Sequence, residues 1–179
     1  MEGPIWSASA GCAAWIPRRR PLHVDTPFDL ASLTKVLCTT PIALRLDSAG
    51  LLPLDRPLTA LVPGAPPGVT ARHCLQHSSG LPAWAPLWRG LGDGGPPWGS
   101  RAARAALVGA AIGAVPVAPP GAVHRYSDLG MILLGAALEA AGGARLDALF
   151  AAEVGAPWGL DLRWGWPEAA ATEACPVRG

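Results

Sequence analysis

Lysine and tyrosine are almost absent from this 179-residue chain, which has one of each, Lys35 and Tyr126, against 13 arginines. Charge of either sign is also scarce: 15% of residues are charged and the formal net charge is +1. With no basic field to hold phosphates, and Arg18-Arg19-Arg20 as the one dense basic run, nucleic acid is not an expected partner. No apolar stretch reaches the ~18 uninterrupted residues that a membrane-crossing helix requires, so no span is predicted. Cys12, Cys38, Cys74 and Cys175 lie far apart, with no Cys-x-x-Cys pair and no histidine at metal spacing, and are read as free thiols. The first residues lack a basic leader segment. Glu2 precedes the apolar stretch and the arginines follow it, the reverse of a secretory signal, so a cytoplasmic location, or a missing leader, is expected.

What is present is apolar material and punctuation. Hydrophobic residues make up 50% of the chain, enough for a core and too many for general disorder. The length suits a single domain. Gly 22 and Pro 20, about 23% together, forecast long loops. The first 30 residues show short apolar runs, Ile5-Trp6 and Ala13 to Ile16, of the kind found in edge or hairpin strands. Helical spacing then begins at Ser32 and runs to Ala49, with Gly50 as the stop and a kink expected near Thr40 because Pro41 removes a backbone donor. Thr70 reads as the N-cap of a helix over 71–77 terminated at Gly80, and further helices are predicted over 101–114, 127–141 and 146–154. The helix over 127–141 is apolar around most of its circumference and belongs in the core. Residues 82–100, with Trp84, Trp88 and Trp98, read as a long loop whose tryptophans either line an apolar pocket or anchor the loop.

The isolated lysine is the first catalytic candidate. Where a mere cation suffices this chain uses arginine, whereas a desolvated lysine can release its proton and act as a base. Lys35 follows Ser32 by three positions at a helix start, which places a nucleophile beside a base on one helix face. The helix N-terminus would favour negative charge developing at the serine oxygen.

The segment Thr26-Pro27-Phe28-Asp29-Leu30-Ala31-Ser32-Leu33-Thr34-Lys35 resembles the nucleophile segment of the beta-lactamase-related serine hydrolases, the group of class C beta-lactamases, D-alanyl-D-alanine carboxypeptidases and related esterases. The resemblance continues in order through Thr39-Thr40-Pro41, residues 50–57, residues 69–82 with His77-Ser78-Ser79-Gly80, then Pro120-Gly121, Tyr126-Ser127-Asp128-Leu129-Gly130, Gly159-Leu160 and 172–176. It covers most of 24–179. It implies an α+β (α/β) fold of the beta-lactamase/transpeptidase type, here mostly the helical part with an incomplete antiparallel sheet. It further implies Ser32 as acyl-accepting nucleophile, Lys35 taking its proton, and Tyr126, from the family's Tyr-x-Asn motif, relaying that proton to the leaving group, with the choice of primary base between Lys35 and Tyr126 left open.

Asp128 stands where that motif has asparagine, a departure shared with esterase-like branches. As a substrate-binding group it would repel a carboxylate-bearing substrate, which sets penicillin recognition in doubt. Its place in the first turn of a helix also suits a carboxylate without any such role. A third motif, Lys-Thr-Gly or His-x-Gly, is not found before Gly179, so the chain is read as one incomplete domain over 1–179, with a strand and loop lead over 1–31 and a mainly helical region over 32–179. Exposed apolar surface and self-association are therefore expected. His77 reads as a satisfied polar group at a helix end, and His73 with His77 lacks a third ligand for zinc.

The function expected is acyl-enzyme hydrolysis of an ester or amide, whether a beta-lactam, a D-amino-acid peptide or a small ester. No metal or organic cofactor is implied. The alternative is a catalytically incomplete remnant that serves as a binding or interaction module.

Overall fold

A computed structural model describes residues 6–15, 18–91, 94–97, 99–162 and Trp164. The expectations for Ile5, Ile16, Trp98, Cys175 and the 172–176 segment fall outside these residues. The chain divides into two compact units, Met1–Ala31 with Arg163–Gly179, and Ser32–Leu162.

In the first unit, β1 (Cys12–Ala14) pairs antiparallel with β2 (Arg20–Pro21), with Cys12 opposite Pro21 and Ala14 opposite Arg20. The apolar run seen in the sequence supplies β1. Its partner, a basic residue and a proline, carries no strand signal, and proline is tolerated there because an edge strand need not donate. Arg19 donates to Cys12 Sγ at 3.0 Å and its guanidinium lies 5.1 Å from the Trp15 ring centre.

The second unit is helical. After a first turn at 33–34, a π-helical segment over Lys35–Thr39 leads into α1 (Thr40–Ser48). Pro41 explains the change of winding. It has no N–H to give to the carbonyl four residues back and its ring crowds that turn, so the bond preceding it skips one residue further, from Thr40 N–H to Lys35 O. The same device recurs before Pro157: α5 (Leu146–Phe150) runs into a π segment over Ala151–Gly155, where Ala156 N–H reaches Ala151 O, and then into α6 (Ala156–Trp158). α1 ends as its sequence indicates, with Gly50 at φ 73° and Leu51 N–H bonded back to Leu46 O at 2.9 Å.

α2 (Ala71–Leu75) is capped by Thr70, whose hydroxyl accepts from His73 N–H at 3.2 Å while His73 Nδ1 accepts from Thr70 N–H at 3.3 Å. The helix is shorter than expected. It is closed not by Gly80 but by His77, which takes the left-handed conformation at φ 54°. Gly80, at φ 76°, meets a different constraint: its carbonyl accepts from Val117 N–H at 2.8 Å, and a β-carbon there would overlap the Ala118 carbonyl oxygen.

α3 (Arg101–Ile112) starts on the Ser100 cap, and α4 (Asp128–Gly142) starts on Ser127 and stops at Gly143 with φ 68°. α4 packs against α1, α2, α3 and α5, as its all-round apolar surface requires. Leu129, Leu133, Leu134, Ala137 and Leu138 are buried with Ile42, Leu46, Leu52, Leu58, Val69 and Val154 in one core. Ion pairs hold its margins: Arg104 of α3 meets Glu139 of α4, and Arg45 of α1 lies 3.3 Å from Glu153. Among the described residues no single helix is long and apolar enough to cross a membrane.

Candidate active site

The start of α4 is fixed by a small set of bonds that reach back to the segment after α2. Ser127, buried, accepts from Gly130 N–H at 3.1 Å and donates to Pro82 O at 2.7 Å. Asp128 N–H donates to Ala83 O at 2.8 Å. On the other side, Arg125 N–H donates to His77 O at 2.7 Å and Ser127 N–H donates to His77 Nδ1 at 3.2 Å. Tyr126 is thereby held between two anchored neighbours, its ring 4.4 Å centre to centre from the His77 ring.

The Tyr126 hydroxyl lies 2.9 Å from Ser32 Oγ and donates to it. Lys35 Nζ donates to the same oxygen at 3.1 Å, as the three-residue spacing foresees. The structure thus brings together residues 94 positions apart in the chain and gathers Ser32, Lys35 and Tyr126 about one oxygen. Just before Ser32, Ala31 has φ 44°, a conformation that costs an L-residue with a β-carbon roughly 1–2 kcal/mol.

Asp128 turns toward Lys35, its Oδ1 2.8 Å from Nζ, with 42% of its side chain exposed against 17% for Lys35. This pairing changes the proton inventory expected from sequence. Burial alone would depress the Lys35 ammonium, but its bonds to Asp128 and Tyr126 outweigh that cost and hold it above the ordinary lysine range. The contact with Asp128 thus favours the ammonium form of Lys35. Tyr126 moves the opposite way: hydrogen bonding to Lys35, then to Ser32, lowers it below the ordinary tyrosine range, against weaker opposition from burial and Asp128. The phenol is half exposed, at 51%, so solvent screens part of this effect.

Burial, and next the Lys35 charge, push the His77 imidazole below its usual range, with Asp128 opposing. Trp84 and Trp88 lean on each other at 5.1 Å between ring centres and remain largely exposed. The buried thiols stand apart from this chemistry, with burial pushing Cys38 up to about 11 and Cys74 to about 12. Among the described residues no three His, Cys, Asp or Glu side chains are grouped as metal ligands.

The Beta-lactamase family model matches residues 3–175, nearly the whole chain. The chain belongs to the Beta-lactamase family. This member is 42% identical over 82 residues to the esterase EstB of Burkholderia gladioli, a stretch covering 41% of the chain and 20% of that esterase. It is 41% identical over 70 residues to penicillin-binding protein 4* of Bacillus subtilis (strain 168), covering 38% of the chain and 15% of that protein. A penicillin-binding protein from Bacillus halodurans superposes with a TM-score of 0.65 at 32% identity, over 81% of this chain and 44% of its own. EstCE1, a hydrolase with promiscuous acyltransferase activity, superposes with a TM-score of 0.63 at 30% identity, over 86% of this chain and 42% of its own. The family member described here thus spans less than half the length of these solved relatives, and its fold is that of the beta-lactamase/transpeptidase group, mostly helical with a small two-stranded antiparallel sheet.

Spacing and the resemblance of residues 26–35 both link Ser32 to Lys35. The His77 contact to Tyr126 had no such signal, because it joins positions about 50 apart through a backbone N–H and a ring face.

Proposed function

We propose that this chain carries the nucleophile and proton-transfer groups of a serine hydrolase that forms an acyl-enzyme on an ester or amide carbonyl, with Ser32 as nucleophile. The observation that carries this reading is the Tyr126 hydroxyl 2.9 Å from Ser32 Oγ with the Lys35 ammonium 3.1 Å from the same oxygen. Two hydroxyls on one line can pass a proton in either direction. In its phenolate form Tyr126 takes the Ser32 proton as Oγ attacks the carbonyl carbon. Lys35 remains an ammonium throughout, balancing charge on the phenolate and on the serine oxygen, and Asp128 keeps it in that state.

When the tetrahedral adduct collapses, the Tyr126 hydroxyl returns the proton to the departing alkoxide or amine. Water then attacks the acyl carbonyl, giving its proton to Tyr126, and Ser32 leaves re-protonated. The base in this sequence is Tyr126, and Lys35 is its electrostatic partner. The relatives described as an esterase and as penicillin-binding proteins support an acyl substrate. With Asp128 engaged by Lys35 and still partly exposed, a neutral ester fits the site better than a substrate whose carboxylate must sit beside it.

The test is covalent capture. A short aryl ester or a fluorophosphonate is incubated with the chain and the adduct located by intact mass and peptide mapping. One acyl or phosphonyl group on Ser32, absent in Ser32→Ala, is expected. An unmodified Ser32 under conditions that label a known serine hydrolase overturns the reading.

A further inference from the structure

His77 touches the Tyr126 segment at three points, one through its backbone and two through its ring. Its carbonyl accepts from Arg125 N–H at 2.7 Å, its Nδ1 accepts from Ser127 N–H at 3.2 Å, and its ring lies against the Tyr126 ring at 4.4 Å and 36° between planes. The backbone of His77 is itself set for this task. It occupies the left-handed region at φ 54°, a conformation with a cost for any side chain bearing a β-carbon. In that conformation the residue closes α2, sending its carbonyl and its ring to the same neighbouring strand of chain.

We propose that His77 is the positioning residue for Tyr126, clamping residues 125–127 so that the phenol oxygen is delivered to Ser32 Oγ. The inference rests on the reading of Tyr126 as the proton carrier for Ser32, and extends it to a residue that does not meet the substrate. The Nδ1 acceptor is the decisive contact. A nitrogen that accepts a backbone N–H holds no proton of its own, so the ring works as the neutral tautomer protonated at Nε2. Protonating Nδ1 would set two donors face to face, break the clamp, and place a cation against the Tyr126 ring. The charged groups facing His77 are Lys35, which opposes that protonation, and Asp128, which favours it. A displacement of Tyr126 on the scale of 1 Å is enough to matter, since misplacement of that size costs ~10²-fold in comparable machinery.

Because Tyr126 is the single tyrosine of the chain, its ionisation can be followed by phenolate absorbance on the intact protein, without any substrate. Two variants separate clamp from mere structure. His77→Ala removes both acceptor and ring. His77→Asn restores an acceptor oxygen at nearly the Nδ1 position and tolerates the left-handed backbone, but has no ring. The clamp predicts that in His77→Ala the Tyr126 titration moves up to the ordinary tyrosine range and Ser32 phosphonylation slows tenfold or more. In His77→Asn most of the downward shift and most of the rate return.

A folded His77→Ala protein with an unmoved Tyr126 titration overturns the proposal. If that variant does not fold, His77→Asn decides: a titration near the wild-type position supports the clamp, and one in the ordinary range overturns it. The two readings fail separately. A shifted titration with no labelling of wild-type Ser32 removes the hydrolase reading and leaves the clamp, whereas labelled Ser32 with an unmoved titration in both variants removes the clamp alone.

Discussion

Lys35 Nζ lies 2.8 Å from Asp128 Oδ1 and 3.1 Å from Ser32 Oγ, so one ammonium bridges the carboxylate at the start of α4 and the candidate nucleophile. Asp128 raises Lys35, and its negative charge also raises Tyr126. Removing that charge should lower both groups. In Asp128→Asn the Tyr126 absorbance titration is expected to move further down, and the pH at which Ser32 acylation is half-maximal should follow it. A midpoint that stays in place would show that Asp128 does not sense the site, and one that rises would contradict the sign of its effect on Tyr126.

His77 makes stability pH-dependent with a definite sign. Its folded value is depressed by burial and then by Lys35, so the unfolded chain takes up this proton first as pH falls. The stabilising contribution is complete above the unfolded value of ~6.5 and is lost as pH drops through the lower folded value. Denaturant melts from pH 8 down to pH 5 should show wild type losing stability more steeply than His77→Asn. Equal slopes would mean that the imidazole is not held neutral.

Gly80 should tolerate no side chain. Its φ of 76° alone costs alanine roughly 1–2 kcal/mol, and the Ala118 carbonyl occupies the space that a β-carbon needs. The Gly80→Ala midpoint in urea should fall by more than the φ cost alone, while Gly50→Ala, with open space around it, should lose only the φ cost. Similar losses at both positions would contradict the close approach at Gly80.

Leu134 and Leu44 make a matched pair for the core. Leu134 is fully buried in α4, and Leu44 is 51% exposed on α1. Leu134→Ala should cost ~2–5 kcal/mol, whereas Leu44→Ala should stay within about 1 kcal/mol, both read from equilibrium melts. Comparable losses would show that the Leu44 face is covered in solution.

Much of this architecture was legible in the sequence because it is local. The Thr70 cap, the stop at Gly50 and the disturbance at Pro41 act within one or two turns, and the structure places them where the sequence does. The turn after α2 was misjudged because glycine is the usual left-handed residue, yet His77 takes that role and Gly80 is reserved for a backbone approach from 117–118. Ser32 and Lys35 were visible as a helical pair. The state of Lys35 was not, since it depends on Asp128, a residue 93 positions away that sequence alone assigned to substrate or to the helix dipole.

The central claim is that Ser32 is activated by the Tyr126 phenolate with Lys35 as a fixed cation. The most direct measurement is the rate of Ser32 phosphonylation as a function of pH in wild type, Tyr126→Phe and Lys35→Arg. The account predicts a wild-type midpoint below the ordinary tyrosine range that coincides with the Tyr126 absorbance titration. It predicts a loss of ~10²-fold or more in Tyr126→Phe, in line with removal of a general base, and a smaller loss in Lys35→Arg, which keeps the charge. A Tyr126→Phe protein that reacts at the wild-type rate, beside a Lys35→Arg protein as inert as Ser32→Ala, would contradict it.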